Sequence, residues 1–248
     1  RLRRIKEVKT ADTIYLNDLR NKRPKAFYDS LNALQGTEWA VNEKVLEIAN
    51  YCWNTSTPVG CLIDAEAEPL PPKPFDIADN DLARKKWRRE ASIIHDLNAH
   101  NRAKRFQCMM MLDTSEKFSE GSFWHVAQAD FTGRIYPVSG TFNPQTTDLS
   151  RGLHHFKEGG PIKNKKDADW LGIAGANHWG LNKKSFQERI EWAYNEGKHI
   201  ADDVAGNPEG YVGLWSKADE PFQFFAWCLE WSQYQEEGFG FISHHPVL

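Results

Sequence analysis

From Leu82 to Glu120 the chain contains neither proline nor glycine, whereas the 25 residues before it, 57–81, carry five prolines. That contrast constrains the fold more than any other feature of the sequence. Proline lacks the amide donor and clashes with the preceding turn, so the acidic, proline-rich stretch cannot hold a regular helix. It reads as a linker or an extended surface strap. Residues 82–121 read instead as one or two long helices, or a helical hairpin, opened by Asp79, Asn80 or Asp81 as N-cap and ended by Gly121. Only the Asn98–Asn101 stretch weakens the pattern.

Upstream, Phe27, Leu31 and Leu34, then Trp39, Val41, Val45, Leu46, Ile48, Ala49 and Trp53, recur at three-to-four spacing. The spacing predicts two helices, broken at Gly36 and Thr37, with Thr37 as the N-cap of the second. Downstream, Phe123, Trp124, Val126, Ile135, Tyr136 and Val138 flank Thr132–Gly133 and read as a β-hairpin. Helices return over 147–157, 167–175, 185–204 and 219–236. The final ten residues, FGFISHHPVL, read as a strand. The expected class is α+β, mostly helical, with a small antiparallel sheet.

A chain of 248 residues with 40% hydrophobic content can bury a sizeable core. Its net charge of -3 excludes a globally basic nucleic-acid binder. Locally the balance differs. Between Leu82 and Arg105 eight Lys/Arg face two acids, Glu90 and Asp96, a run that is either a solvated helix face or a surface that tracks phosphates. The cysteines at 52, 61, 108 and 228 lack metal or redox spacing and are expected as reduced, mostly buried thiols. No apolar run is long enough to cross a membrane, and the basic RLRRIKEVK is not followed by the apolar stretch of a secretory signal. The adjacent pairs His154–His155 and His244–His245 point apart on any regular element, so neither is expected to chelate a metal. SGTFNPQ has too few glycines for a phosphate loop, and no nucleophile–histidine set is recognisable. The residues by themselves describe a mixed helical protein with a basic helix and an Arg/Tyr hairpin, without a catalytic set.

One block is more specific. Asp130, Phe131, Gly133, Arg134, Ile135 and Tyr136 are followed by Phe142, Asn143, Pro144 and Gln145 and then by Arg151, Gly152 and Leu153. In this order and spacing the block resembles that of the single-subunit, phage-type RNA polymerases, the family that includes the mitochondrial enzymes. LNALQGTEWAVNEKVLEIAN, NRAKRFQCMMMLDTSEKF, WLGIAGANHWG, SFQERIEWAYN and EPFQFFAWCLEW extend the resemblance from Ala26 to the C-terminus. It implies an N-terminal helical region (1–56), a linker (57–81), thumb-like helices (82–121) and the N-terminal half of a polymerase palm (122–248). It also implies that Asp130, Gly133, Arg134 and Tyr136 lie against template or hybrid, with Arg151 near the nascent RNA end. Arg102, Lys104 and Arg105 would meet backbone phosphates, and Gly133 would allow close backbone approach.

The same resemblance implies what other polypeptide must supply. The family pattern continues beyond SHHPVL with an Asp-Gly strand, a fingers helix and a second catalytic aspartate. The expectation is therefore a chain without catalytic or metal-binding residues of its own. It would be the small subunit of a split phage RNA polymerase in the cytoplasm of an infected bacterium. Its partners would be a large subunit that holds Mg²⁺, the DNA template, the nascent RNA and ribonucleoside triphosphates, with no membrane. A fragment of a longer single-chain polymerase and a non-catalytic nucleic-acid-binding accessory protein are the alternatives.

Overall fold

A computed structural model of the chain describes residues 6–63 and 66–246. Asp12 opens α1 (Thr13–Lys22) by accepting the amides of Ile14 and Tyr15, and α2 (Lys25–Gly36) follows. The second expected helix starts later than its apolar spacing predicts. Trp39–Val41 form a strand, β1, and α3 (Glu43–Asn54) begins after Asn42, whose side chain accepts the Val45 amide. Thr37 closes α2, its amide bound to Leu34 O, and does not cap α3. The expected helix over 147–157 is likewise corrected. It is a short α5 (Asp148–Gly152) followed by β4 (His154–Phe156), which pairs antiparallel with β1, Trp39 opposite Phe156 and Val41 opposite His154. All three β1 residues are buried, so its sequence is apolar throughout, and short apolar runs do not separate strand from helix.

Residues 82–118 belong to one helix, α4 (Asp81–Phe118), of 38 residues. Its N-cap is Asn80, which accepts the Leu82 and Ala83 amides, and the Asn98–Asn101 stretch does not interrupt it. Cys108, Met111, Leu112 and Ser115 repeat at i, i+3, i+4, i+7 and are buried, so the C-terminal part of α4 is anchored against α3. Upstream of Cys108 only Ala91 is buried. There the helix is accompanied by the proline-rich segment, which is a strap and not a domain. Trp87 Nε1 donates to Pro71 O at 2.8 Å, Asn98 exchanges two hydrogen bonds with the Glu68 backbone, and Arg105 Nη1 donates to Ile63 O at 2.6 Å.

The core is built around α10 (Pro221–Glu237), whose residues 221–228 are all buried. It packs on α5, on α6 (Lys165–Trp179) and on α8 (Lys198–Gly206). The expected helix 185–204 is α7 (Phe186–Trp192), a π-turn (193–197) and α8 in succession. The expected helix 219–236 corresponds to α10, preceded by the short α9 (Val212–Trp215). Two buried indoles need hydrogen-bond partners and have them: Trp227 Nε1 donates to Leu171 O, and Trp231 Nε1 to Ala193 O at the π-turn. The small residues of GIAGAN permit this approach. A Cβ at Gly175 would fall 2.0 Å from the Trp227 ring. Truncating either indole would cost about 3–5 kcal/mol.

The same cluster takes in α3, the end of α4, Phe123 and Phe142. Val8, Leu16 and Ala129 form a satellite, with Leu19, Phe27 and Ile135 against it. Of the expected C-terminal strand, Ile242–Ser243 (β6) pair with Gly160–Pro161 (β5), and residues 247–248 lie outside the described residues.

Candidate nucleic-acid interface

The hairpin forms where the sequence places it, though its ladder is short: β2 (Ala127–Ala129) pairs with β3 (Ile135–Pro137), Gln128 opposite Tyr136. Phe123 is not part of it and bridges to Trp39. Asp130 organises the turn. Its Oδ1 accepts the amides of Thr132 (2.8 Å) and Arg134 (2.9 Å) and the Thr132 hydroxyl (2.6 Å). These bonds, the Thr132 hydroxyl first, hold its carboxyl below the ordinary aspartate value. Gly133 has φ +88, a left-handed conformation in which a side chain would be strained. The space around it is open, so the glycine serves the turn; no protein backbone approaches it closely. With the backbone fixed in this way, the Arg134 side chain projects into solvent and makes no salt bridge among the described residues. Tyr136 is also exposed.

The hairpin is docked from one side by the N-terminal segment. Lys9 N donates to Ala129 O and Ala129 N to Glu7 O, adding Val8 as a parallel bridge, while Gln35 Oε1 accepts the Ala127 amide. Sequence reasoning gave residues 1–25 no part in the interface. The only available signal was Val8 and Leu16 among polar neighbours.

The basic residues of α4 divide into two kinds. Arg102 and Lys104 are exposed, and Arg102 lines a groove of about 250 Å³ between α4 and the strap, with Glu66, His95, Asn98, Asn101 and Arg105. Arg105 is engaged: its guanidinium lies 4.1 Å from the Trp53 ring centroid and also holds Ile63 O. It fastens the strap as well as contributing charge.

Arg151 is engaged too. Its Nη1 is 2.8 Å from Glu220 Oε1, and His178 Nδ1 donates to Glu220 Oε2 at 2.6 Å. The His178 bond first, and then the Arg151 charge, keep the Glu220 carboxyl below its ordinary value despite partial burial. His178 Nε2 in turn stands 3.2 Å from Nε2 of buried His245. Arg151, His154, His155, Gln223 and His245 surround a cavity of about 10 Å³, at the lower limit for one water. Next to it, Asp148 accepts the amides of Phe222 and Gln223 and the Gln223 side chain, capping α10 from another element. Burial pushes the Asp148 carboxyl up, and those bonds oppose it.

The members of each histidine pair sit in different surroundings, His154 beside His125 and His245 beside His178. His154 donates Nδ1–H to Ser150 O and accepts from His125 through Nε2 (2.9 Å); burial lowers it to about 3. His155 is lowered to about 4 and His245 to about 3, again by burial first. Among the described residues, no group of three or more His, Cys, Asp or Glu side chains is arranged to hold a metal ion. No described helix is long and apolar enough to cross a membrane.

The predicted residues thus occupy three places: the hairpin (Asp130, Gly133, Arg134, Tyr136), the exposed side of α4 (Arg102, Lys104) and the head of α10 (Arg151). Only the first two present unengaged cations. Asp148, His178, Glu220 and His245 were not anticipated, because the partners lie 42 to 75 residues apart in sequence.

Comparison with known proteins agrees with the family resemblance. A family model described as DNA-dependent RNA polymerase matches residues 162–248. The DNA-directed RNA polymerase of Enterobacteria phage K11 is 36% identical over 223 residues, 89% of this chain and 24% of that protein. T7 RNA polymerase of Escherichia phage T7 is 34% identical over 89% of this chain and 25% of its own length. The mitochondrial DNA-directed RNA polymerase 1 of Arabidopsis thaliana is 31% identical over 89% and 23%. The chain spans about a quarter of the length of these relatives. Phage and mitochondrial relatives each align with about nine-tenths of the sequence, and the chain belongs to the phage-type DNA-directed RNA polymerase family.

Proposed function

We propose that this chain is the template-holding part of a DNA-directed RNA polymerase. It supplies thumb and partial palm, and it grips template and RNA–DNA hybrid without performing nucleotidyl transfer alone. The observation that carries this reading is the Asp130-organised turn. Three hydrogen bonds to one carboxylate oxygen fix the backbone from which Arg134 projects unpaired. A guanidinium on a fixed base can hold a backbone phosphate in one geometry, which is how positioning lowers a barrier. Arg102 and Lys104 add sequence-independent attraction to phosphates along the groove.

The catalytic carboxylates, the Mg²⁺ they bind and the triphosphate-binding groups would lie in polypeptide outside this sequence, in our reading a large subunit in the host cytoplasm. The quarter-length coverage of the relatives supports it. The exposed Phe239 and Ile242 beside β6 offer apolar surface for that partner.

The test is primer extension with the chain and its co-purifying partner at two salt concentrations, with hybrid binding measured in parallel. Arg134→Ala should lower extension about tenfold, equivalent to ~1.4 kcal/mol of lost positioning. Arg134→Lys should recover little of it, since lysine lacks the fork. Wild-type extension by Arg134→Ala at both salts sinks the site assignment, and template-directed extension by the chain alone sinks the division of labour. Hybrid binding without any extension by the purified pair would favour an accessory binder. A native polypeptide longer than this sequence would replace the two-subunit arrangement and leave the grip intact.

A further inference from the structure

The strap and α4 meet at a pair of thiols. Cys61 is half-buried and lies within a tight turn in which Val59 and Leu62 bridge each other, with Gly60 at φ +56. Cys108 is buried on the inner face of α4. Their sulfurs are 3.1 Å apart, and Cys108 Sγ is also 3.1 Å from Cys61 O. A disulfide needs ~2.05 Å, so an approach of about 1 Å closes the bond.

The pair stands apart from the other two cysteines. Cys108 Sγ donates to Cys61 O and lies within reach of Cys61 Sγ, and Arg105 and Lys104 place positive charge near it. Cys61 is the more exposed of the two and gives a small oxidant access to the pair. Cys52 and Cys228 differ. Burial pushes Cys52 up to about 11 and Cys228 well above the ordinary value, and neither has a thiol partner among the described residues.

We propose that Cys61 and Cys108 form a reversible dithiol–disulfide pair, a modification site that staples the strap to α4. The oxidant is hydrogen peroxide. The thiolate of one cysteine attacks one peroxide oxygen and the O–O bond breaks, leaving its sulfenic acid and a hydroxide that takes a proton to become water. The sulfur of the other then attacks the sulfenic sulfur. The S–O bond breaks, the S–S bond forms, and the departing hydroxide leaves as water with the second thiol's proton. Two thiols lose two electrons in all, and one peroxide becomes two waters. A small dithiol reverses the change by exchange.

The experiment treats the wild-type chain with stoichiometric hydrogen peroxide, then alkylates it under denaturing conditions and maps peptides by mass spectrometry. The expected product is a single intramolecular link between the Cys61 and Cys108 peptides, lighter by two hydrogen atoms and reversed by dithiothreitol. Only Cys52 and Cys228 should remain alkylated. Because the link closes a loop between residues 47 apart, the oxidised chain should melt about 5–10 °C higher. In Cys61→Ser no link should form and the rise in melting temperature should be absent. Four alkylated cysteines after treatment would overturn the proposal. So would a link through Cys52 or Cys228, a link between two copies, or Cys61 or Cys108 of the wild type halting as sulfinic acid. The wild-type measurement needs no variant to fold.

Discussion

Arg151 and Glu220 face each other at 2.8 Å across the head of α10, and the second oxygen of that carboxylate holds buried His178. The cation that resemblance assigns to RNA is thus already committed to the protein's own frame. Arg151→Ala should lower stability by about 1 kcal/mol, a melting-temperature loss of roughly 2–4 °C. Glu220→Gln should do at least as much at neutral pH and should flatten the acid limb. Glu220's folded value lies below the ordinary 4.5, so its contribution is present above 4.5 and lost as pH falls below it. Thermal melts from neutral to acid pH would show this, and an Arg151→Ala variant as stable as wild type would free the arginine for RNA.

Acidification has a second target. His154, His155 and His245 are lowered by burial to about 3, 4 and 3 from 6.5. Because the folded values are depressed, their contribution is complete above 6.5 and declines as pH falls below it. Each neutral histidine should cost about 1.4 kcal/mol per pH unit in that range. Urea unfolding between roughly pH 6 and 5 should show uptake approaching three protons, and about one fewer in His154→Phe. Burial pushes Asp148 and Glu230 up, and these act in the opposite sense nearer the carboxylate range. A pH-independent urea midpoint would contradict the burial of these imidazoles.

Asp148→Ala should be among the more damaging single polar substitutions. It strips acceptors from two backbone amides and the Gln223 side chain, at a cost of about 2–4 kcal/mol. Asp148→Asn should lose less, since one carbonyl oxygen survives. Denaturant midpoints compare the two.

Asp130→Ala and Gly133→Ala probe the interface, since both act on the turn that carries Arg134. The hairpin tip is exposed, so stability should fall only slightly, while hybrid affinity should fall several-fold. Loss of stability with unchanged affinity would reduce the turn to scaffolding.

On α4, Arg102→Ala and Arg105→Ala should separate. The first should lower the log–log salt slope of hybrid binding by about one without altering proteolysis. The second should release the strap, because Trp53 and Ile63 lose their shared partner, and should expose residues 57–80 to limited proteolysis.

What the sequence disclosed follows from the range of the interactions. The helical character of α4, though not its being one unbroken helix, was legible because no residue from 82 to 120 obstructs a helix, and the hairpin because Thr132–Gly133 separates two apolar groups. The block around Arg134 was legible as a family pattern. Three-residue strands such as β1 and β4 were not, since Trp39–Val41 sits at spacing that also fits a helix. Nor could spacing reveal that Asp148 caps α10, or that Glu220 joins Arg151 to His178. Those partners are adjacent only after the core has closed.

The one-sided anchoring of α4 has a mechanical side. Asp81 lies 27 residues before Cys108, roughly 40 Å of helix beyond the point where burial fixes it. A beam held at one end magnifies rotation: rocking the root by about 5° swings the tip by roughly 3–4 Å, close to the ~3.4 Å spacing of successive phosphates along one strand. The strap runs beside this beam as a stay, tied near the tip through Trp87, midway through Asn98 and at the root through Arg105. Slackening the root tie would therefore be felt most at the far end, where five of the eight basic side chains ride.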